Sequence, residues 1–100
     1  MAQTRMTRST GNVFRDLGFS PQESTSLQIR SDLMKKLSEM IRRRKLTQAM
    51  AAKLLGVTQP RISDLVRGKI ELFSIDTLVE MVSRAGGRVK IAVTMSKRAA

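Results

Sequence analysis

The chain of 100 residues contains no cysteine, histidine, tyrosine or tryptophan. Without cysteine it can form neither a disulfide nor a thiolate metal site, and without histidine the usual nucleophile–base pairs cannot be assembled. The eight acidic residues are scattered and form no cluster with metal-ligand spacing. We therefore predict a protein that is not an enzyme and that carries no cofactor and no metal.

Aromatic residues are also scarce, since Phe14, Phe19 and Phe73 are the only three. The core must then be aliphatic, and stacking platforms of the kind that bind single-stranded nucleic acid are not expected. No apolar run approaches the roughly 18 residues of a membrane span. Arg5 and Arg8 precede no apolar segment of a secretory signal. A cytoplasmic protein that contacts no membrane is the expectation.

Positive charge is what the chain has in excess. Nineteen lysines and arginines against eight acids give a formal net charge of +11, and residues 42–69 hold eight basic side chains and one acid, Asp64. Such a field attracts a polyanion and drives binding by counterion release. A solvated charged face is the structural alternative, and no basic stretch has the bulky apolar face of a membrane-surface helix. Nucleic acid is the partner that the charge favours.

Residues 47–69 carry signals for two short helices joined by a tight turn. Thr47 suits the N-cap of the first helix, and Gly56 ends it because glycine adopts the left-handed conformation without steric cost. Thr58 suits the N-cap of the second helix. Pro60 then falls in the first turn, where its missing N–H costs little.

The spacing inside this pair of helices is typical of a helix-turn-helix. Counted from Gln48, the small residue Ala52 is fifth, Gly56 is ninth and Ile62 is fifteenth. Two helices that cross at about 90–120° need a small residue at their contact, a glycine at the bend and an apolar side chain filling the angle. An αα-corner without a nucleic-acid role is the alternative, and the coincident charge disfavours it.

Three segments precede this pair. Residues 1–11 are polar and basic, so we predict a disordered arm that either lies on DNA or has no role. Residues 12–19 predict a short extended segment with a turn at Gly18. Ser20 and Glu23 predict a capping box at the start of a helix. Apolar residues then recur at helical spacing from Leu27 to Ile41. Whether residues 21–45 form one helix or two is left open.

A helix and a strand are predicted after the pair. Ser74 suits the N-cap of a helix that ends at the glycines 86 and 87. Residues 88–94 alternate, with Val89, Ile91 and Val93 on one face, as in a half-buried β-strand. Because strand N–H and C=O groups need partners, we predict pairing with residues 12–15 or with the same strand of a second subunit. A homodimer is the expectation, with the strand paired across a two-fold axis or with residues 12–15 of the other chain. Residues 95–100 are predicted to be a disordered tail.

Residues 47–69 resemble the lambda-repressor-like, or XRE, class of DNA-binding proteins. The matching positions are Thr47, Gln48, Ala52, Leu55, Gly56, Val57, Thr58, Gln59, Ile62, Ser63, Leu65, Val66, Arg67, Gly68 and Lys69. The resemblance implies a mainly α fold over residues 12–94. It would be a helix-turn-helix bundle of four to five helices with the short C-terminal β-strand.

A wider frame over residues 12–93 is similar to one branch of this class, the antitoxin half of bacterial type II toxin–antitoxin pairs. The frame reads NVF-x-DLG, LTQ-x-x-AA-x-LLGV-x-Q, P-RIS-x-L-x-RGK, FSIDTL and V-x-I, beginning at residues 12, 46, 60, 73 and 89. It implies a protein toxin as a partner.

In the XRE class the second helix of the motif enters the major groove of double-stranded DNA. Carried over, this implies that Gln59 reads a base and that Gln48 and Thr58 contact the backbone. Arginine suits guanine and glutamine suits adenine, so Arg61 is expected at a base or a phosphate. Pro60 stands where the class often has a hydrogen-bonding side chain, and it offers an apolar contact to a thymine methyl group.

The remaining candidate contacts flank these positions. Ser63 and Asp64 are expected near the bases. The DNA backbone is expected to meet Thr47, Arg44, Arg67 and Lys69.

The leading hypothesis is a dimeric, sequence-specific transcriptional repressor that binds an inverted-repeat operator. By the resemblance, it would be an autorepressing antitoxin that neutralises a protein toxin. A solitary XRE-class regulator without a toxin is the first alternative. A protein that binds RNA or the nucleoid through charge alone is the second.

Overall fold

The computed structural model describes residues 12–95, and in that range the regular structure is entirely helical. The α-helices are α1 (Val13–Asp16), α2 (Pro21–Arg43), α3 (Gln48–Leu55), α4 (Gln59–Val66) and α5 (Ile75–Arg84), and a 3-10 turn at Ile70–Leu72 precedes α5. The mainly α prediction is thereby confirmed. The predicted arm over residues 1–11 and most of the predicted tail over residues 95–100 lie outside the described residues.

The extended segment predicted over residues 12–19 is wrong, because its first part is the single helical turn α1. Asn12 occupies the N-cap, where its Oδ1 accepts a hydrogen bond from the Phe14 N–H at 2.9 Å. Its amide nitrogen also donates to the Ser24 carbonyl of α2 at 3.1 Å. A capping asparagine satisfies a free N–H at the helix start, and here it also ties α1 to α2. Gly18 has a φ of 97°, which agrees with the predicted turn.

The long amphipathic stretch is one helix, α2, of 23 residues. The predicted capping box is confirmed, since the Glu23 N–H donates to Ser20 Oγ at 3.1 Å and the Ser20 N–H donates back to the Glu23 carboxylate at 3.3 Å. Met34, Leu37 and Ile41 lie on its buried face. Neither α2 nor any other helix of residues 12–95 is long and apolar enough to cross a membrane.

The core forms where α2, α3, α4 and α5 meet. Its fully buried large side chains come from α3, α4, α5 and the residue that follows the 3-10 turn: Leu55, Ile62, Leu65, Phe73, Leu78 and Met81. Ala51 and Ala52 of α3 are buried as well, as expected for small residues that let two helices approach closely. Gly56 ends α3 with a φ of 72°, which confirms the left-handed turn predicted there.

The β-strand predicted over residues 88–94 is not present in the single chain, where this segment has no regular secondary structure. Within residues 12–95 its backbone makes no hydrogen bond, and residues 12–15, the proposed partner within the chain, are occupied by α1. A strand needs a neighbouring strand to satisfy its N–H and C=O groups. Among residues 12–95, the C-terminal segment, residues 88–95, has none.

Candidate DNA-binding surface

Helix α4 presents its first turn to solvent. Ile62 and Leu65 are 0% and 1% exposed and fix the inner face of the helix. Because each residue turns a helix by about 100°, the opposite face carries three of the predicted base contacts, Pro60, Ser63 and Asp64. Gln59 and Pro60 are exposed, whereas Ser63 and Asp64 are half-buried. Four of the five predicted base contacts therefore lie on the outward side of α4, two of them exposed and two half-buried.

The N-terminal ends of α3 and α4 hold the predicted backbone contacts Thr47, Gln48 and Thr58. All three residues are exposed. The Thr47 hydroxyl accepts the Met50 N–H at 3.1 Å, which confirms its predicted capping role and leaves its own O–H free to donate. Thr58 holds the N-cap position of α4, but its hydroxyl makes no capping hydrogen bond there. That hydroxyl is available to a ligand.

Arg61, the fifth predicted base contact, is engaged within the chain. Its Nη1 donates to the Leu72 carbonyl at 2.9 Å. The guanidinium carbon lies 4.3 Å from the centre of the Phe73 ring, in cation–π geometry. The side chain thus lies against the linker, residues 67–74, that joins α4 to α5.

The basic side chains around this surface are free of acidic partners. Within residues 12–95 the one ion pair joins Arg84 to Glu80 of α5, at 3.7 Å between Nε and the carboxylate. Arg44 and Arg67 are exposed and Lys69 is half-buried. Arg44 makes a long hydrogen bond of 3.5 Å to the Ala85 carbonyl. Cations without acidic partners create a positive potential that draws in a phosphate backbone.

Two arginines with structural contacts were missed in the sequence. Arg30 of α2 donates from Nη1 to the carbonyls of Ile70 and Phe73, each at 3.3 Å. Its one signal in the sequence is its place on the apolar stripe of α2, three residues after Leu27. Arg84 packs on Gly56, where an added Cβ would lie 2.8 Å from its guanidinium. The pattern of the sequence contains no signal for this second contact.

The predicted dimerisation residues are not brought into the core. Val89 is half-buried, whereas Ile91 and Val93 are 78% and 75% exposed. Met95 at the end of the same segment is 82% exposed. The C-terminal segment therefore leaves an apolar face uncovered in the single chain.

A groove of about 560 Å³ runs between α2 and the end of α4. Its lining comes from α1, α2, α4 and the linker after α4: Phe14, Ser31, Met34, Lys35, Ser38, Glu39, Arg42, Leu65, Val66, Gly68 and Ile70. Among residues 12–95 no three acidic side chains lie close enough together to hold a metal ion.

Two comparisons with known proteins bear on this geometry. Residues 13–94 match a family described as a helix-turn-helix domain. A solved chain provisionally named as an XRE-family transcriptional regulator superposes with a TM-score of 0.69 and 31% sequence identity, over 78% of this chain and 88% of that one. No curated protein matches.

Proposed function

The chain belongs to the helix-turn-helix family of XRE-class DNA-binding transcriptional regulators, and from this premise we propose that it is a sequence-specific repressor acting as a homodimer. The observation that carries the proposal is the exposed first turn of α4, beside the exposed start of α3 and a set of unpaired cations. Binding requires no catalysis and no cofactor. Such a repressor acts in the cytoplasm, where its operator lies.

Base reading is assigned to the outward face of α4. Gln59 offers the amide that pairs with adenine N6 and N7, and the Asp64 carboxylate can accept a hydrogen bond from the cytosine N4 amino group. Pro60 contributes an apolar surface for a thymine methyl group, and the Ser63 hydroxyl can donate or accept. The proposed half-site therefore contains A·T pairs near the start of α4 and a G·C pair further along.

Backbone contacts are assigned to the rim of this face. Thr47, Gln48 and Thr58 bring short polar groups to one strand, and the cations of Arg44, Arg67 and Lys69 meet phosphates. Phosphate contacts fix the register of a protein on the duplex but carry no sequence information. Their proposed role is affinity and orientation.

A homodimer is proposed from the C-terminal segment. Ile91 and Val93 of this segment are exposed, and its backbone N–H and C=O groups make no backbone hydrogen bond within residues 12–95. The same segment of a second copy would bury these side chains and pair with these backbone groups. A two-fold axis would place two α4 helices in successive major grooves about 34 Å apart. The operator would then be an inverted repeat with half-sites separated by about 10 base pairs or a multiple of that.

An antitoxin role is proposed from the wider resemblance over residues 12–93. Its test is a growth assay in which the adjacent small gene of the source genome is expressed alone and together with this chain. Growth arrest by that gene, reversed by co-expression, supports the role. A harmless neighbour favours the solitary regulator without affecting the proposal of DNA binding.

Selection of duplexes from a random pool, followed by footprinting, tests the central proposal. A repressor should enrich a single inverted repeat and protect it on both halves. Retention of all sequences alike would instead indicate a protein that binds RNA or the nucleoid through charge alone.

A further inference from the structure

We propose that Arg61 is a positioning residue for DNA recognition, which holds the first turn of α4 against the linker and reads no base itself. This inference rests on the proposed function, because it assigns a role within operator binding. Sequence patterns alone place Arg61 at a base or a phosphate, since it is the third residue of α4 and is always charged.

The Arg61 guanidinium contacts the linker through one edge and one face. One N–H of the guanidinium donates to the Leu72 carbonyl at 2.9 Å, while the planar group lies over the Phe73 ring at 4.3 Å. A guanidinium can stack on an aromatic ring and donate in its own plane at once. Arg61 thereby links the start of α4 to two successive linker residues.

The direction of Arg61 on the helix agrees with this role. Pro60, Ser63 and Asp64 point away from the buried residues, and Arg61 lies about 100° from Pro60, towards the linker. The surface of α4 proposed to face the DNA major groove is therefore formed without Arg61. For Arg61 to reach a base edge, it would have to leave both the Leu72 carbonyl and the Phe73 ring.

The platform under Arg61 is fixed. Phe73 is 1% exposed and belongs to the hydrophobic core. On the α2 side, Arg30 donates to the carbonyls of Ile70 and Phe73, so the same linker is held by a second guanidinium. A side chain anchored to a rigid platform can set the pose of the helix that carries it. Removing the contacts of Arg61 should therefore make the position of α4 on DNA less well defined, and with it the position of every proposed base-reading side chain.

Arg61→Ala and its matched control Arg30→Ala test the proposal. Both changes remove one guanidinium from the same linker and lower the net charge equally, but only Arg61 lies on α4. The probes are a duplex selected by the unmodified protein, all of its single-base-pair variants, and a random duplex, each titrated over a series of salt concentrations. Thermal unfolding of each variant reports on the fold.

We expect Arg61→Ala to weaken binding to the selected duplex between about 2- and 30-fold, the range for residues that act without touching a ligand. Discrimination should fall at several base pairs of the half-site together, with the salt dependence unchanged. Arg30→Ala should lower the unfolding temperature but leave the pattern of discrimination intact, because Phe73 stays buried in the core and still supports Arg61. Phe73→Leu, which changes no charge, should reproduce the loss, and the double variant Arg61→Ala with Phe73→Leu should bind no worse than the weaker single variant.

Two results would overturn the inference alone. Loss of discrimination at one base pair would make Arg61 a base-reading residue. A salt slope that falls by about 0.9 with unchanged discrimination would make it a phosphate contact. If the unmodified protein selects no duplex at all, the proposed function fails and the inference fails with it. Arg61→Ala alone separates these outcomes, so the test holds even where Phe73→Leu does not fold.

Discussion

The helix-turn-helix at residues 47–69 and the C-terminal segment at residues 88–95 are both rich in apolar side chains, but they use them differently. In the first region Leu55, Ile62 and Leu65 are at most 1% exposed. In the second, Ile91 and Val93 are at least 75% exposed. Backbone groups follow the same division, because the helices satisfy theirs internally and the C-terminal segment makes no backbone hydrogen bond within residues 12–95.

This difference shows which predicted elements can satisfy their backbone hydrogen bonds and bury their apolar side chains within one chain. A helix closes its hydrogen bonds within itself and needs only a surface on which to bury one face. A strand needs a second strand for every N–H and C=O group along one edge. The helix-turn-helix is therefore complete in the single chain, whereas the C-terminal segment has the composition of a strand without the partner.

Truncation after Gly87 separates the two regions and carries the largest expected effect. The helices should persist, since the Gly87 N–H that closes the end of α5 on Val82 is retained. The truncated chain should be a monomer, and its affinity for a two-half-site operator should fall by about 100- to 10,000-fold, because the second half-site is no longer bound intramolecularly. Sedimentation velocity and binding titrations measure the two effects.

A matched pair of substitutions locates that effect on one face of the segment. Val93→Asp places a charge on the face shared with Ile91, whereas Ala92→Asp places it on the opposite face. The first substitution should dissociate the proposed dimer and the second should not. A truncated chain that remains a dimer with full affinity would move the interface to another surface, most directly to α2.

Ala52→Leu tests the completeness of the helix-turn-helix. Ala52 is 7% exposed and lies on the buried side of α3, so a larger side chain overpacks the helix contact. We expect a loss of about 1–3 kcal/mol in the free energy of unfolding. The unfolding temperature, followed by circular dichroism, should fall by about 4–8 °C per kcal/mol. Ala49→Leu on the exposed face of the same helix is the control and should change stability little.

Most features of this fold that depend on neighbouring residues could be predicted from the sequence. The caps at Ser20, Thr47 and Ser74 and the left-handed Gly56 were all predicted, and each is present. Such signals operate over three or four residues, so they are visible in the order of the amino acids. The same reasoning was wrong at residues 12–19, where it weighed the apolar pattern and overlooked the capping capacity of Asn12.

Contacts between distant parts of the chain could not be predicted from the sequence. Arg61 meets a carbonyl 11 residues away, and Arg30 meets carbonyls 40 and 43 residues away. Neither pairing has a periodic signature, because each depends on where α2, α4 and the linker come to lie. The position of Thr58 at the N-cap was predicted correctly, but whether its hydroxyl would be used there depends on geometry.

Gln59→Ala tests a side chain of the helix-turn-helix that does not contribute to the core. Gln59 is exposed, so the fold should be unchanged. Loss of one amide pairing should cost about 1–3 kcal/mol on the selected operator and much less on random DNA. Gln22→Ala, the same change in the first turn of α2, is the control and should alter binding to neither the selected operator nor random DNA. An equal loss on both kinds of DNA would reassign Gln59 to the backbone.

Lys69→Ala carries the smallest expected effect, because it alters one proposed phosphate contact and leaves the proposed base-reading residues of α4 unchanged. Affinity should fall by a similar factor for every sequence, and the slope of log K against log salt should flatten by about 0.9, the share of one neutralised phosphate. Arg15→Ala on α1 removes the same charge outside the candidate surface. Its slope should match that of the unmodified protein if local contacts, and not the net charge of +11, govern the salt dependence. Equal flattening in both variants would instead assign the effect to the overall field, and Lys69 would lose its place among the backbone contacts.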